Sequence, residues 1–487
     1  MTLIPTIATA STAGPSEIVA IPARRAELDI QLLGPAMIGS VERPEDLSAE
    51  LASAHGFSAK AGEVLALRQL GQPTIALIGI GDGDLEGWRR FGAAATRAAA
   101  PGGSVALVVA DDAATAEQAV LGALLATYRF SRHKSAEQPT GLASLEVIGE
   151  DHLALAPVVA AATVVADAVA FAKDLINEPA GDLPPSELAE RAAVRLEASG
   201  RTRVEIWDEV RLAEERCGAI VGVGKGSAVP PRLVRADYVP AGADDTTPKV
   251  VLVGKGVTFD SGGLSLKPAT GMMTMKTDMT GAAVVLAVVS ACDALGVKVK
   301  VTAIAPMAEN MPSGAAMRPG DVLVTRSGTT IEVLNTDAEG RLLLADGLAL
   351  AVELEPTVVV DLATLTGAQV VALGTELAAR YANDRDLDAA LAAASETSGE
   401  LSWSMPLHHG YDAHLDSEVA DLKNIGKAGE AGSISAALFL DRFVGDTPWA
   451  HLDLAGPGRS DSDAGYRSKG ATAYGVRLLL TWLRSMA

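Results

Sequence analysis

Two short segments of this chain gather the residues best able to do chemistry. The first reads Val253-Gly254-Lys255-Gly256-Val257-Thr258-Phe259-Asp260-Ser261-Gly262-Gly263-Leu264-Ser265-Leu266-Lys267-Pro268, followed by Met275-Lys276-Thr277-Asp278-Met279. The second is Asn335-Thr336-Asp337-Ala338-Glu339-Gly340-Arg341-Leu342. Asp260, Asp278, Asp337 and Glu339 supply four negative charges, which would repel one another strongly in a partly desolvated crevice. Two divalent cations would cancel that charge. Carboxylates are hard ligands suited to magnesium, manganese or zinc, and two-metal hydrolases hold their ions about 3.5–4 Å apart. Asp337 and Glu339 stand at i and i+2, a spacing that lets both face one site from a loop or extended segment. Any one Asp beside glycine is more ordinarily a solvated loop carboxylate or a helix cap. The set of four favours the metal site.

Both segments follow apolar strands, where an open α/β sheet presents its ligand crevice. Residues 250–255, 297–304, 330–334 and 357–361 read as strands, and 282–295 and 342–353 as helices. Upstream, strands over 74–80 and 104–110 alternate with helices over 85–99 and 114–128. The alternation predicts an α/β protein of two domains, each a central mixed sheet flanked by helices, the larger C-terminal one catalytic. The expected division is 1–150 for the N-terminal domain, 151–182 for a linking helix and linker, and 183–487 for the catalytic domain. Within the link, 158–175 reads as a long helix ended by the proline-rich run from Asn177 to Pro185. Ser186 is placed to cap a further helix to about Ser199. Residues 459–467, rich in Ser, Asp and Gly, read as a mobile polar loop.

Bulk properties exclude several classes. At 487 residues, with 48% hydrophobic and 21% charged residues, the chain is an ordinary globular protein with room for a large core. A net charge of −21 without a dense Lys/Arg run makes nucleic acid a poor partner. Cys217 and Cys292 are too few and too far apart for a disulfide framework and read as buried reduced thiols. The first basic residue is Arg24, so no positive region opens a secretory signal. Residues 153–172 lack Lys and Arg but are alanine-rich and contain Pro157 and Asp167. An Asp near the centre of a membrane helix costs roughly 3 kcal/mol, so this stretch reads as a buried helix. The expectation is a cytoplasmic protein with no membrane partner.

Three weaker patterns are set aside. Gly79-Ile80-Gly81-Asp82-Gly83 misplaces the third glycine of a dinucleotide fingerprint and reads as a tight turn. Gly222-Val223-Gly224-Lys225-Gly226-Ser227 lacks the spacing of a phosphate loop and reads as a structural turn. His408 and His409 are adjacent, so they cannot share one face, and no H-E-x-x-H occurs.

The run N-T-D-A-E-G-R-L resembles the signature of the leucine (cytosol) aminopeptidase family. The run V-G-K-G-V-T-F-D-S-G-G-L-S-L-K-P, with the M-x-x-D that follows, matches the same family in order and spacing. Lesser matches at 223–234, 305–322, 363–367 and 432–440 extend the resemblance over most of 175–480. The first 150 residues carry no such signature and are assigned to the family's N-terminal domain by position and α/β pattern.

The resemblance implies that Lys255, Asp260, Asp278 and Glu339 hold one divalent ion. Asp260, Asp337 and Glu339 hold the other, so Asp260 and Glu339 bridge. Manganese or zinc are the first candidates, with magnesium or cobalt behind them. Lys255 must then lose its proton, because an ammonium has no lone pair. From a pKa of about 10.4 that costs roughly 4–5 kcal/mol at neutral pH, a cost a nearby dication offsets. A bridging water would ionise and attack the scissile carbonyl. Lys267 is assigned to the carbonyl oxygen and Arg341 to a bound bicarbonate acting as general base. A free α-amine would reach a metal and Asp278, which selects chain ends. Met275, Thr364, Leu365, Gly367 and Ala455 match positions that line the side-chain pocket or hold the substrate backbone, suiting leucine and other apolar residues. Thr280 and Gly456-Pro457-Gly458 depart from the family pattern, which bears on side-chain preference. The expected partners are short peptides with a free N-terminus and a homohexameric assembly. A DNA-binding role known in some bacterial relatives is opposed by the acidic balance. An inactive scaffold would have lost ligands, yet all five ligand and both cationic positions are filled.

Overall fold

The computed structural model describes residues 5–10, 16–26, 29–34, 37–38, 41–42, 47–68, 72–110, 112–136 and 141–486. Residues 1–4 and 11–15, within the stretch read for a targeting signal, lie outside them. The chain forms two compact units, Met1–Ala170 with Asp461–Lys469, and Phe171–Ser460 with Gly470–Ala487. Each is a mixed sheet flanked by helices.

In the first unit, Ile18–Arg25 runs parallel to both Thr74–Gly79 and Ser104–Val108. Ser144–Ile148 and Thr6–Ala10 extend the parallel part outward. Asp29–Leu32 pairs antiparallel with Ile18–Arg25, and Val64–Leu67 antiparallel with Thr74–Gly79. The helices Leu85–Ala98 and Ala113–Ala126 start at Asp84 and Asp112, whose carboxylates accept Gly87 N–H and Thr115 N–H. They cross in backbone contact. A Cβ on Gly92 would lie 1.8 Å from the Ala119 carbonyl oxygen, and one on Gly122 1.9 Å from that of Arg89. The Gly79–Gly83 run is a tight turn, with Gly81 and Gly83 at φ 59° and 80°.

The polar segment expected to be a mobile loop belongs to this unit and is pinned to it. Tyr466 is buried and its hydroxyl donates to Glu86 at 3.1 Å. Arg97 donates from Nε to the Gly465 carbonyl at 2.5 Å and from Nη2 to that of Arg467 at 3.2 Å. Composition showed a polar loop; its partners lie more than 360 residues upstream, beyond any local pattern.

The second unit is built on a nine-stranded sheet. Lys300–Asn310, Lys249–Gly254, Val358–Ala363 and Trp449–Asp453 lie side by side and parallel. Their residues are almost all buried, as expected when both faces of a parallel sheet are covered. Arg232–Tyr238 and Thr202–Trp207 add antiparallel strands at one side, and Ala378–Ala382 at the other. Lys300–Asn310 runs six residues past the expected end because it changes partners, pairing next with Gly256–Asp260. The helices Thr280–Cys292 and Gly340–Glu353 pack on these central strands.

Several sequence expectations need correction. The helix after the linker is Pro185–Glu197, with proline in its first turn and Pro184 at the cap; Ser186 lies inside it and caps nothing. Gly222 and Gly224 sit in a short helix, Gly218–Gly224, rather than in a turn. The long linking helix is His152–Asn177, and its early turns are exposed, Leu153 by 75%, so the reading of it as buried holds only for its later part. By length and composition, it and Ala269–Cys292 could each cross a membrane; 78% of the apolar window of the latter is buried. Cys217 and Cys292 are free and buried.

Candidate metal centre

The first segment leaves the carboxyl end of the central strand Lys249–Gly254, whereas the second follows Thr330–Glu332, which the sequence reading places in the central sheet but which pairs in a separate three-stranded sheet. Lys255 follows Lys249–Gly254 and is fixed by its backbone: its N–H donates to the Leu362 carbonyl at 3.0 Å and its carbonyl accepts Ala282 N–H at 2.8 Å. Asp260 ends Gly256–Asp260. Asp278 sits between the turn Met275–Thr277 and the helix Thr280–Cys292. Glu339 holds the N-cap position of Gly340–Glu353 but makes no side-chain cap, which leaves its carboxylate to face the site. Gly340 beside it leaves room for the Lys255 side chain: a Cβ there would lie 2.4 Å from Lys255 Cε and displace it.

The side chains meet. Lys255 Nζ lies 2.7 Å from Asp278 Oδ2, 3.0 Å from Glu339 Oε1 and 3.0 Å from the Thr364 carbonyl oxygen. Lys267 Nζ lies 2.8 Å from Asp260 Oδ2 and 2.5 Å from Asp337 Oδ1. Asp260, Asp337 and Glu339 each bring an oxygen within 4.8 Å of the others. Lys255, Asp260, Asp278 and Glu339 are all 5% exposed or less.

Burial governs their protonation. It pushes the Glu339 carboxyl up to about 8, with Asp260 adding to the rise, and that of Asp278 up to about 6. Asp337 is raised for the same reason. Burial works to lower both lysines, but the facing carboxylates outweigh it and hold both ammoniums above the ordinary lysine value. Arg341, buried and without a partner for its Nε, is pulled down to about 10 by desolvation, with Glu339 and Asp453 opposing.

Do these residues fit divalent ions? Glu339 Oε2 is buried without a hydrogen-bond donor, and Asp278 Oδ2 and Asp337 Oδ1 have ion-pair neighbours but no aligned donor. Buried acceptors of that kind are normally satisfied. Four carboxylates face two ammoniums, so uncompensated negative charge remains in a desolvated pocket. A hard oxygen donor set of this sort suits divalent cations. The fit is good.

The remaining sequence candidates are spread over the same strand ends. Thr364 gives its carbonyl to Lys255 and donates its hydroxyl to Asp278 Oδ1 at 2.9 Å. Leu365 N–H and Ala455 N–H both donate to Asp453 Oδ1, at 3.0 and 3.2 Å. The Met275 carbonyl accepts Asp278 N–H at 3.3 Å. Gly367 opens the helix Gly367–Leu373, is exposed, and faces open space where a Cβ would stand. Lys267, expected as the cation left over for substrate, is paired to two of them. Arg341 Cζ lies 5.9 Å from the Phe439 ring centroid.

Sequence reasoning missed Asn310. It is 2% exposed and donates from Nδ2 to Asp260 Oδ1 at 2.8 Å and to the Thr336 carbonyl at 3.0 Å. It thereby ties the two motifs together and fixes the Asp260 rotamer. Its only signal is an amide ending a long apolar strand.

A carboxylate-rich centre with one buried and one half-buried lysine, at the carboxyl edge of an α/β sheet, defines a class of metal-dependent hydrolases. Comparison narrows it. Residues 170–480 match the cytosol aminopeptidase family catalytic domain and 33–137 its N-terminal domain. A probable cytosol aminopeptidase of Leifsonia xyli is 45% identical, over 94% of this chain and 96% of its own. One from Micrococcus luteus is 44% identical, over 91% and 90%. Among solved structures, the bottromycin maturation enzyme BotP in complex with Mn shares 36% identity at a TM-score of 0.84, over 96% of this chain and 99% of its own. A tomato leucine aminopeptidase mutant shares 32% at 0.87, over 100% and 97%. The chain belongs to the cytosol aminopeptidase family and is a metal-dependent exopeptidase acting on peptide N-termini.

Proposed function

We propose that the enzyme removes leucine and other apolar residues from short peptides, using two divalent ions held by Lys255, Asp260, Asp278, Asp337 and Glu339. The observation that carries this reading is the buried carboxylate set itself, whose charge exceeds that of its two ammoniums and whose Glu339 Oε2 has no donor. When bound, the ions would supply Lewis acidity for water and carbonyl, and a bicarbonate at Arg341 would supply a general base. Asp260 and Glu339 would be shared between the two ions. Lys255 would have to release its proton to serve as a ligand, which its carboxylate neighbours Asp278 and Glu339 resist. Asp278, hydrogen-bonded by Thr364, receives the substrate's free amine and so selects chain ends. Lys267, released from Asp260 and Asp337, donates to the scissile carbonyl oxygen as charge builds there. Met275, Thr364, Leu365, Gly367 and Ala455 form the pocket and the backbone contacts. Manganese is supported by the manganese complex of BotP; zinc, a homohexamer and a cytoplasmic setting rest on family resemblance.

The test is hydrolysis of leucine p-nitroanilide by metal-stripped protein, with manganese, zinc, cobalt and magnesium added back in turn. Release restored by at least one ion is expected. No release with any of them would refute the reading.

A further inference from the structure

Asp453 ends the strand Trp449–Asp453, 1% exposed, beside the end of its parallel neighbour Val358–Ala363. Past this point the two chains diverge into the loops that carry Thr364, Leu365 and Gly367 on one side and Ala455 on the other. The Asp453 carboxylate holds both. Its Oδ1 accepts Leu365 N–H at 3.0 Å, Thr366 N–H at 3.4 Å and Ala455 N–H at 3.2 Å, and its Oδ2 accepts the Thr366 hydroxyl at 2.7 Å. The chain of bonds then closes on itself. Thr366 Oγ1 accepts Gln369 N–H at 3.0 Å, and Gln369 Oε1 accepts Gly456 N–H at 2.6 Å, next to Ala455. Gln369 is itself held by its Nε2, which donates to the Leu377 carbonyl at 2.7 Å. Gly456 has no room to shift, since a Cβ on it would lie 2.2 Å from the Gly374 carbonyl oxygen.

We infer that Asp453 is a positioning residue that sets the width of the substrate side-chain pocket, through a closed ring of hydrogen bonds with Thr366, Gln369 and Gly456. The inference rests on the aminopeptidase reading above. The hydrogen bonds of Asp453 run to Leu365, Thr366 and Ala455 and not to the carboxylates or lysines of the metal centre. A buried carboxylate accepting three amides and a hydroxyl is far stiffer than two loops meeting by packing alone, because releasing any one donor leaves it unpaired in the interior. A fixed gap discriminates between side chains of different size; a loosened one accepts small and large alike and holds large ones badly. Discrimination of this kind amounts to about tenfold or more between a small and a larger apolar side chain.

The experiment compares leucine and alanine p-nitroanilides on the metal-loaded full chain, with bound metal counted by plasma mass spectrometry. For Asp453→Ala the leucine-to-alanine ratio of kcat/KM should fall about tenfold, mainly through KM, with bound metal unchanged. Asp453→Asn keeps an oxygen for the Leu365 and Ala455 amides and should recover most of the ratio. An unchanged ratio in Asp453→Ala, an Asn variant no better than Ala, or metal lost in step with the ratio would each overturn the inference. Should Asp453→Ala fail to fold, Gln369→Leu opens the same ring at the Gly456 amide. There a reduced ratio supports the inference and an unchanged one overturns it. A wild-type enzyme inactive with every metal would instead sink the aminopeptidase reading, so the two failures are distinct.

Discussion

Glu339 is asked to do more than any other side chain. It lies 3.0 Å from Lys255, shares a metal-sized cluster with Asp260 and Asp337, and keeps one oxygen without a donor. Glu339→Ala should therefore cut kcat/KM on leucine p-nitroanilide by more than the 10–100-fold typical of losing an outer metal contact, and should weaken binding of both ions by titration calorimetry. Loss of one ion only would remove its bridging role. Lys267→Ala should lower kcat by about 10²–10³, the usual cost of one oxyanion donor, while both ions stay bound.

Protonation sets a sign that can be checked. With Glu339 raised to about 8 and Asp278 to about 6, both carboxyls carry protons toward the acid side of neutrality, and Lys255 holds its own above the ordinary lysine value. A metal must displace these protons, so affinity should rise with pH from 6 to 8. Calorimetric titration of manganese at both pH values would show it, and flat affinity would count against it.

At the scale of elements, the helix Gly340–Glu353 delivers Glu339 and Arg341, and its placement depends on one buried acid. Asp346, fully buried, accepts Ala219 and Ile220 N–H at 2.9 Å each and Arg326 N–H at 2.8 Å. Asp346→Ala leaves three amides unpaired in the core and should cost roughly 3 kcal/mol or more, read from the urea midpoint. Burial raises Asp346 to about 7 from an unfolded value of 3.8. The folded chain thus holds the extra proton more tightly, and this stabilising contribution is present at acid pH and lost as pH rises through about 7. The difference between wild type and Asp346→Ala should accordingly be larger at pH 5 than at pH 8.

Elements also show where sequence reading stops. The central strands and helices were legible because their apolar runs are long and their glycines punctuate them. The ends were less so: Ser186 looked like a cap, but Pro185 already occupied the first turn. Asp260, Asp278, Asp337 and Glu339 stood out because each lies in a compact motif. Asn310 and Asp453 did not, since their side-chain partners Asp260 and Thr366 lie 50 and 87 residues away and nothing local marks a long-range partner. The pinning of Tyr466 was hidden for the same reason, at still greater separation.

Across the whole molecule, the two compact units divide the work unevenly: every metal and substrate candidate lies in the unit Phe171–Ser460 with Gly470–Ala487. Ligand linkage then predicts that each bound ion stabilises this unit by about 2.7 kcal/mol at a hundredfold excess over its dissociation constant. Chelation should lower its calorimetric transition and leave that of the N-terminal unit in place. Equal shifts in both would contradict the assignment. The net charge of −21 adds a background field that favours cations near the chain and disfavours nucleic acid.

The most direct measurement is anomalous scattering from crystals of the full chain grown with manganese. The account predicts two peaks in one pocket, both bordered by Asp260 and Glu339, one reached by Lys255 and Asp278 and the other by Asp337. A single peak, or peaks lying away from these five side chains, would contradict it.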